Sequence, residues 1–162
     1  MRMKGFMALG EELKKPLHYT ACGLDDVYLL NGYEIHKTDY GQGISVKHAD
    51  DLHLEIGLAL VKSKKGLTGK ELRYLRKQMD ITQSELGRLV GMSAQQVARW
   101  EKGISEIPGP ADRLLRMLFA EYADKGDVEV RELLEFLDTL DDIGSPQHLF
   151  ETTDDGWRAA AA

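Results

Sequence analysis

Cysteine and long apolar runs are nearly absent from this sequence, and each absence excludes a class of protein. Cys22 is the only cysteine in 162 residues, so neither an internal disulfide nor a thiolate-rich zinc site can form within the chain. No stretch approaches the roughly 20 apolar residues that a membrane-spanning helix needs. Residues 6–9 are too short an apolar patch for a signal peptide. We therefore expect a cytoplasmic protein with no membrane partner.

An overall positive charge, common in proteins that bind nucleic acids, is also missing. The formal net charge is −6 at pH 7. The charges are unevenly distributed, however: residues 62–103 carry ten basic and four acidic side chains, a net charge of +6, and residues 104–162 have a net charge of −9. A basic middle between acidic ends favours a localised phosphate-binding surface. The alternative is a solvated, charged helix face.

Turn signals and apolar periodicity divide the chain into five segments and predict a mainly α fold. They are a flexible N-terminus (1–16), a small α+β module of short antiparallel strands and a helix (17–65), a helical bundle (66–123), an acidic amphipathic helix (124–143) and a loose tail (144–162).

The first module contains two glycine-rich turn signals. Asn31-Gly32 lies between apolar runs, which predicts a β-hairpin turn between two short strands. Gly41-Gln42-Gly43 is interpreted as a second turn, before a strand at 44–46. Leu52, Ile56 and Leu60 recur at helical spacing and predict a helix from about residue 50 to 64. Asp50 or Asp51 would cap that helix, and Gly66 would stop it.

The bundle contains the signals of two short helices joined by a tight turn. Thr82 and Glu85 form the pattern of a capping box, so a helix begins at Gln83. Gly91 ends that helix, and Ser93 caps a second helix over residues 94–102. Four apolar side chains of these two helices are expected to be buried: Leu86, Leu89, Val97 and Trp100. Gly87 lies where the two helices meet, since a larger side chain would hold them apart. An earlier helix starts at Thr68 or Gly69 and is expected to point Lys70, Arg73, Arg76 and Lys77 outward.

This pattern resembles the lambda-repressor-like, Xre-type helix-turn-helix domain. The resemblance is carried by Thr82-Gln83-Ser84-Glu85-Leu86-Gly87 and by Ser93-Ala94-Gln95-Gln96-Val97-Ala98-Arg99-Trp100-Glu101-Lys102-Gly103. It covers residues 68–123 and implies a bundle of four or five helices that usually works as a dimer. The second helix would lie in the DNA major groove.

The order of the segments is similar to that of MqsA-type antitoxins, and more loosely of HigA-type antitoxins. MqsA-type proteins carry a zinc ribbon built from two CxxC pairs. Residues 19–24 resemble one such cysteine knuckle, but the other ligands are missing, so we interpret 17–65 as a degenerate module without zinc. No cofactor is expected.

The predicted site residues fall into two groups. Glutamine amides can both donate to and accept from an adenine edge, and arginine can reach a guanine or a phosphate. The residues predicted to read bases are Ala94, Gln95, Gln96 and Arg99. The residues predicted to contact DNA phosphates are Thr82, Gln83, Ser93, Lys102 and Lys70. Gln83 has this role by its resemblance to the phosphate-contacting glutamine of the family, and Thr82 and Ser93 are helix caps first. The alternative for each polar side chain is solvation.

Two other kinds of site are weaker hypotheses. His48 and His53, with Asp50 and Asp51, suggest a metal site, but their spacing does not place both histidines on one helix face. Residues 17–64 are too short for a convincing active site, so we expect no catalytic residue and no enzyme.

Two functions remain open from the sequence. The first is a homodimeric transcription regulator, expected to be a repressor, bound to a roughly palindromic double-stranded DNA operator. The second is an antitoxin whose N-terminal sheet or acidic C-terminal helix masks a toxin protein.

Overall fold

The computed structural model describes residues 15–123 and 146–160, together with residues 129, 133, 136, 137, 139 and 140. Its helices are α1 (Ala49–Ser63), α2 (Gly69–Gln78), α3 (Gln83–Val90), α4 (Ala94–Glu101) and α5 (Gly109–Ala123). Its strands are β1 (Leu17–His18), β2 (Val27–Leu29), β3 (Tyr33–Thr38), β4 (Gly41–Val46), β5 (His148–Thr153) and β6 (Gly156–Ala159). No helix in this part of the chain is both long and apolar enough to cross a bilayer.

The strands form two separate sheets. One has the order β1-β2-β5-β6, and the other is the hairpin of β3 and β4. In the larger sheet β2 and β5 run parallel, with Val27 opposite His148, and the other pairs are antiparallel. Leu29 and Phe150 of this sheet are fully buried, as are Leu52 and Ile56 of α1. They belong to one hydrophobic core, which continues into the helices.

The loose tail predicted for residues 144–162 is wrong for the described residues 146–160. These residues form β5 and β6, joined by a two-residue turn at 154–155, with Thr153 opposite Gly156. The physical reason is burial of large aromatic side chains: Phe150 is 0% exposed and Trp157 is 4% exposed. Two such residues supply enough apolar surface to order an otherwise polar segment.

The hairpin turn predicted at Asn31-Gly32 is also wrong, because β2 and β3 do not pair with each other. The Asn31 side chain instead joins the edge of β5: its Oδ1 accepts from the Thr152 backbone N–H at 2.7 Å. Gly32 has a φ of 76°, and a Cβ there would lie 2.7 Å from the Trp157 ring. The chain therefore leaves the larger sheet at this point.

The true hairpin turn of the first module lies at residues 39–40, between Thr38 and Gly41. Gly41-Gln42-Gly43, interpreted from the sequence as a turn, is the first half of β4.

Helix α1 is confirmed, with Leu52, Ile56 and Leu60 buried. Its N-cap is His48, not Asp50 or Asp51. The Asp51 carboxylate has a different partner, since it accepts from the Trp157 backbone N–H at 2.7 Å. The helix thereby contacts the start of β6.

A buried arginine of α5 joins the end of α1 to the bundle. Arg116 is 0% exposed; its guanidinium pairs with Asp112 at 2.6 Å and donates to the carbonyls of Val61 and Lys65. The Asp112 carboxylate also accepts from the Leu67 backbone N–H at 2.7 Å. These bonds satisfy carbonyl groups that a helix end leaves without an internal partner.

The remaining predicted segments lie largely outside the described residues. This holds for the N-terminus up to residue 14 and for most of the acidic helix predicted over 124–143. Within the latter, Leu133 and Leu137 are helical and buried.

Candidate nucleic-acid interface

Helices α3 and α4 form the predicted helix-turn-helix, and side-chain caps fix both of its starts. Thr82 Oγ accepts from the Glu85 N–H at 3.1 Å, and a Glu85 carboxylate oxygen accepts from the Thr82 N–H at 2.7 Å. Gly91 ends α3 with a φ of 76°. Ser93 Oγ then accepts from the Gln96 N–H at 3.1 Å and caps α4. The predicted caps at Thr82, Gly91 and Ser93 are confirmed.

A glycine allows the two helices to meet closely. A Cβ on Gly87 would lie 2.5 Å from the Met92 carbonyl oxygen, closer than real Cβ atoms come. Val97 and Trp100 bury the inner face of α4, as predicted. Leu89 was predicted to be buried and is 54% exposed; Leu86, one turn earlier, is the leucine of α3 that reaches the core.

Three polar side chains, one each from α2, α3 and α4, hydrogen-bond to one another at the carboxyl end of α4. The guanidinium of Arg76 pairs with Glu101 (Nε to Oε1, 2.5 Å) and donates through Nη1 to the Ile81 carbonyl at 2.8 Å. Gln83 Nε2 donates to Glu101 Oε2 at 2.8 Å. Arg76 was expected to point outward, yet its side chain is only 11% exposed. The hydrogen bonds to Glu101 and Ile81 offset the desolvation cost of burying its charge.

The exposed face of α4 carries polar and basic side chains. Gln95, Arg99 and Lys102 are exposed and follow one another at spacings of four and three residues, which places them on one side of the helix. Ala94 and Gln96 are half-buried at the start of the same helix. The structure therefore places two of the predicted base-reading residues, Gln95 and Arg99, together on the exposed side of α4, and leaves Ala94 and Gln96 less accessible.

Gln96 has an internal partner that the sequence did not suggest. Its Nε2 donates to Ser105 Oγ at 3.0 Å, in the loop after α4. The amide is thereby turned toward that loop. Its Oε1 keeps its capacity to accept a hydrogen bond.

The predicted phosphate contacts are distributed between the two ends of α4. Ser93 lies at its amino end. Gln83 and Lys102 lie at its carboxyl end, where Gln83 contacts Glu101 and exposed Lys102 is the C-cap. Exposed Thr82 directly precedes Gln83. Contacts at both ends are what a helix lying in a groove needs, because a phosphate strand flanks each side of the groove.

Lys70 also lies near the carboxyl end of α4, but it is already paired. A Cβ on the adjacent Gly69 would overlap the Trp100 carbonyl oxygen at 2.3 Å, so the start of α2 touches the end of α4. The Lys70 ammonium lies 2.8 Å from the carboxylate of Asp25, and both side chains are well exposed. An ammonium group has three N–H donors, so Lys70 can still bind a phosphate, but the neighbouring Asp25 carboxylate repels that phosphate.

Of the two histidines considered as metal ligands, His48 is the N-cap residue of α1 and His53 has a side-chain partner. His53 Nε2 is hydrogen-bonded to the Tyr19 hydroxyl at 3.0 Å, and burial lowers the pKa of His53. Cys22 donates to the Tyr19 carbonyl, and burial raises the pKa of its thiol. Within the residues the structure describes, no three histidine, cysteine or acidic side chains are grouped to hold a metal ion.

Comparison with known proteins gives one match. Residues 72–110 match the family model described as "Helix-turn-helix", a span that runs from α2 through α4 to the start of α5. No curated protein and no solved structure matches the chain. The match covers about a quarter of the sequence and does not reach residues 17–65. Residues 72–110 are therefore similar to a helix-turn-helix of the lambda-repressor-like kind, and helices α3 and α4 have the caps and close crossing of such a motif.

Proposed function

We propose that the protein is a homodimeric transcription repressor that binds double-stranded DNA and inserts α4 into the major groove. The observation that carries this proposal is the helix-turn-helix match, together with the exposed stripe of Gln95, Arg99 and Lys102 on α4. The proposed role is binding, without catalysis.

The size of α4 suits this role. An α-helix with its side chains is about 10–12 Å across, and the major groove is about 12 Å wide. Gln95 can form two hydrogen bonds with an adenine edge, and Arg99 can form two with guanine. Gln83, Ser93 and Lys102 would hold the flanking phosphates and set the register.

Gln96 reads DNA with a constrained amide in this proposal. Because one hydrogen of its Nε2 is donated to Ser105 Oγ, its Oε1 and the second Nε2 hydrogen are the groups left to contact a base. Ser105 is then a positioning residue for Gln96.

The proposal includes a dimer because a single α4 contacts only a short stretch of DNA sequence. Two copies related by a two-fold axis would read two half-sites about 34 Å apart, or a multiple of that distance, so the operator would be roughly palindromic.

The test is selection of bound sequences from a random double-stranded DNA pool, followed by titration at several salt concentrations. We expect one palindromic sequence to be enriched. The Gln95→Ala variant should lose preference at one base position per half-site. The matched Lys102→Ala variant should weaken binding to all sequences alike and lower the salt slope by about one. No enriched sequence, or equal losses of preference in both variants, would contradict the proposal.

An antitoxin remains the second candidate, and one observation favours it. The β3–β4 hairpin exposes Ile35, Ile44 and Tyr40, apolar side chains of the kind that protein partners cover. Co-expression with the neighbouring reading frames tests this candidate: a small protein retained stoichiometrically through purification supports it, and purification of this chain alone opposes it.

A further inference from the structure

The hairpin of β3 and β4 has no partner strand in the described part of the chain. Tyr33 and Val46 pack on the core at its base, but Ile35 is 51% exposed and Ile44 is 43% exposed directly opposite it. A two-stranded hairpin is marginally stable in water. An open strand edge beside apolar side chains is a template for pairing with another strand.

The backbone groups at the open edge of β3 can be assigned. The Gly32 carbonyl accepts from the Lys47 N–H at 2.9 Å, so Gly32 turns its carbonyl toward β4. Because the direction alternates along an antiparallel strand, the even-numbered residues of β3 face β4. Tyr33, Ile35 and Lys37 therefore point their N–H and C=O groups at the open edge.

We propose that a second copy of this chain pairs antiparallel along β3, with Ile35 opposite Ile35 at the two-fold axis. The two hairpins then form one four-stranded sheet in the order β4-β3-β3-β4. The inference rests on the proposed function, to which it supplies the dimer interface.

The side chains of β3 are complementary to themselves in this register. On one face the axis places Glu34 opposite His36 of the second copy; His36 Nε2 is bonded to Ser45 Oγ at 2.8 Å in its own hairpin, which leaves Nδ1 as the ring nitrogen that can donate to a new carboxylate. On the other face it places Tyr33 opposite Lys37 of the second copy, an aromatic ring beside a cation. Each complementary contact occurs twice.

The same register creates a continuous apolar row. Ile44 lies beside Ile35 within each hairpin, so four isoleucines cross the new sheet side by side. Pairing through the β4 edge would instead centre on Ile44 and place Gly43 opposite Ser45, with no charged or aromatic pair. The observations therefore favour the β3 edge.

Disulfide trapping distinguishes the two edges. In a Cys22→Ser background, the Ile35→Cys variant should form disulfide-linked dimers on mild oxidation, because directly opposite Cα atoms at the axis lie about 5.5 Å apart. The Ile44→Cys variant is the matched control: three strand spacings would separate its thiols by roughly 14 Å, so it should remain uncrosslinked. Crosslinking of Ile44→Cys alone, of both variants or of neither would overturn the proposal.

Sedimentation equilibrium provides a second measurement on the full chain. The Ile35→Lys variant should raise the dimer dissociation constant at least about tenfold, because it places two ammonium groups side by side at the axis. Ile104→Lys, at a residue 60% exposed outside the hairpin, should leave the constant unchanged. A monomeric wild-type chain, or equal effects of both variants, would overturn the proposal.

The two proposals fail in different ways. A wild-type chain that selects a DNA sequence but is monomeric would refute the β3 interface and leave DNA binding intact. A dimer trapped through Ile35→Cys that selects no DNA sequence would refute DNA binding and leave the interface intact.

Discussion

Arg76 and Glu101 form a two-point ion contact, 2.5 Å from Nε to Oε1 and 3.3 Å from Nη2 to Oε2, that joins α2 to the last turn of α4. Glu101 also accepts from Gln83 at the start of α3. One carboxylate thus fixes three helices relative to one another. The exposed face of α4 is presented in a single orientation because its buried end is held this way.

Removing this carboxylate should therefore destabilise the helix-turn-helix strongly. We expect the Glu101→Ala variant to lower the free energy of unfolding by about 3 kcal/mol, because it leaves the nearly buried Arg76 charge without its partner. Urea denaturation measures the change. Glu106→Ala removes an exposed carboxylate from the following loop and should change the free energy by less than about 0.5 kcal/mol. Similar effects of both variants would contradict the role given to Glu101.

A methyl group at the crossing of α3 and α4 should also lower the stability of the helix-turn-helix. Gly87→Ala places a Cβ against the Met92 carbonyl, so either the turn or the crossing angle must shift. We expect a loss of about 1–3 kcal/mol in stability, and a loss of DNA sequence preference larger than the loss of fold. Gly66→Ala is the matched control, because nothing lies within 4 Å of its Cβ position. A Gly87→Ala variant as stable and selective as Gly66→Ala would refute the close crossing.

The C-terminal strands β5 and β6 should be needed for the stable folding of the first module, residues 17–65. Trp157 is 4% exposed and its Nε1 donates to the Lys47 carbonyl at 2.8 Å. Trp157→Ala should lower the free energy of unfolding by about 3–5 kcal/mol, since it leaves a cavity beside α1. Tyr40→Ala removes a fully exposed ring at the hairpin tip and should leave stability nearly unchanged. The prediction fails if both variants unfold at the same urea concentration.

Two histidines, the buried His148 and the half-buried His53, should make stability depend on pH. Burial lowers the pKa of His53 and of His148 below the ordinary value of 6.5. The unfolded chain therefore binds protons at a higher pH than the folded chain does. Stability is fully present above pH 6.5 and falls as the pH drops from there toward the folded pKa values.

Urea denaturation at about pH 7.5 and about pH 5.5 measures this dependence. The double variant His53→Gln, His148→Gln should reduce the loss of stability between the two pH values. His36→Gln, at an exposed hairpin position, should retain the wild-type loss. An unchanged loss in the double variant would show that other groups control the pH dependence.

The helix-turn-helix was predictable because its signals are local. Thr82 with Glu85, Gly91 and Ser93 act within a few residues, and the structure confirms the caps they predict. Capping chemistry depends only on neighbours along the chain. The same locality explains why the helix of Leu52, Ile56 and Leu60 was found within one residue of its observed ends.

The sheet was mispredicted because its contacts are distant in sequence. Asn31-Gly32 has the composition of a hairpin turn, but Trp157 and Thr152, more than 100 residues later, fill the space beside it. Likewise, periodicity placed Arg76 on the outer face of α2, and only the position of Glu101 explains its burial. No pattern within a short window contains such partners.

The parallel pairing of β2 with β5 also constrains the order in which the protein can fold. About 120 residues separate the paired strands, and closing so long a loop is entropically costly until other contacts shorten it. Helices α2–α5, whose contacts are closer in sequence, are expected to form before the sheet closes. During synthesis on the ribosome, α4 would then be folded before β5 has emerged to pair with β2.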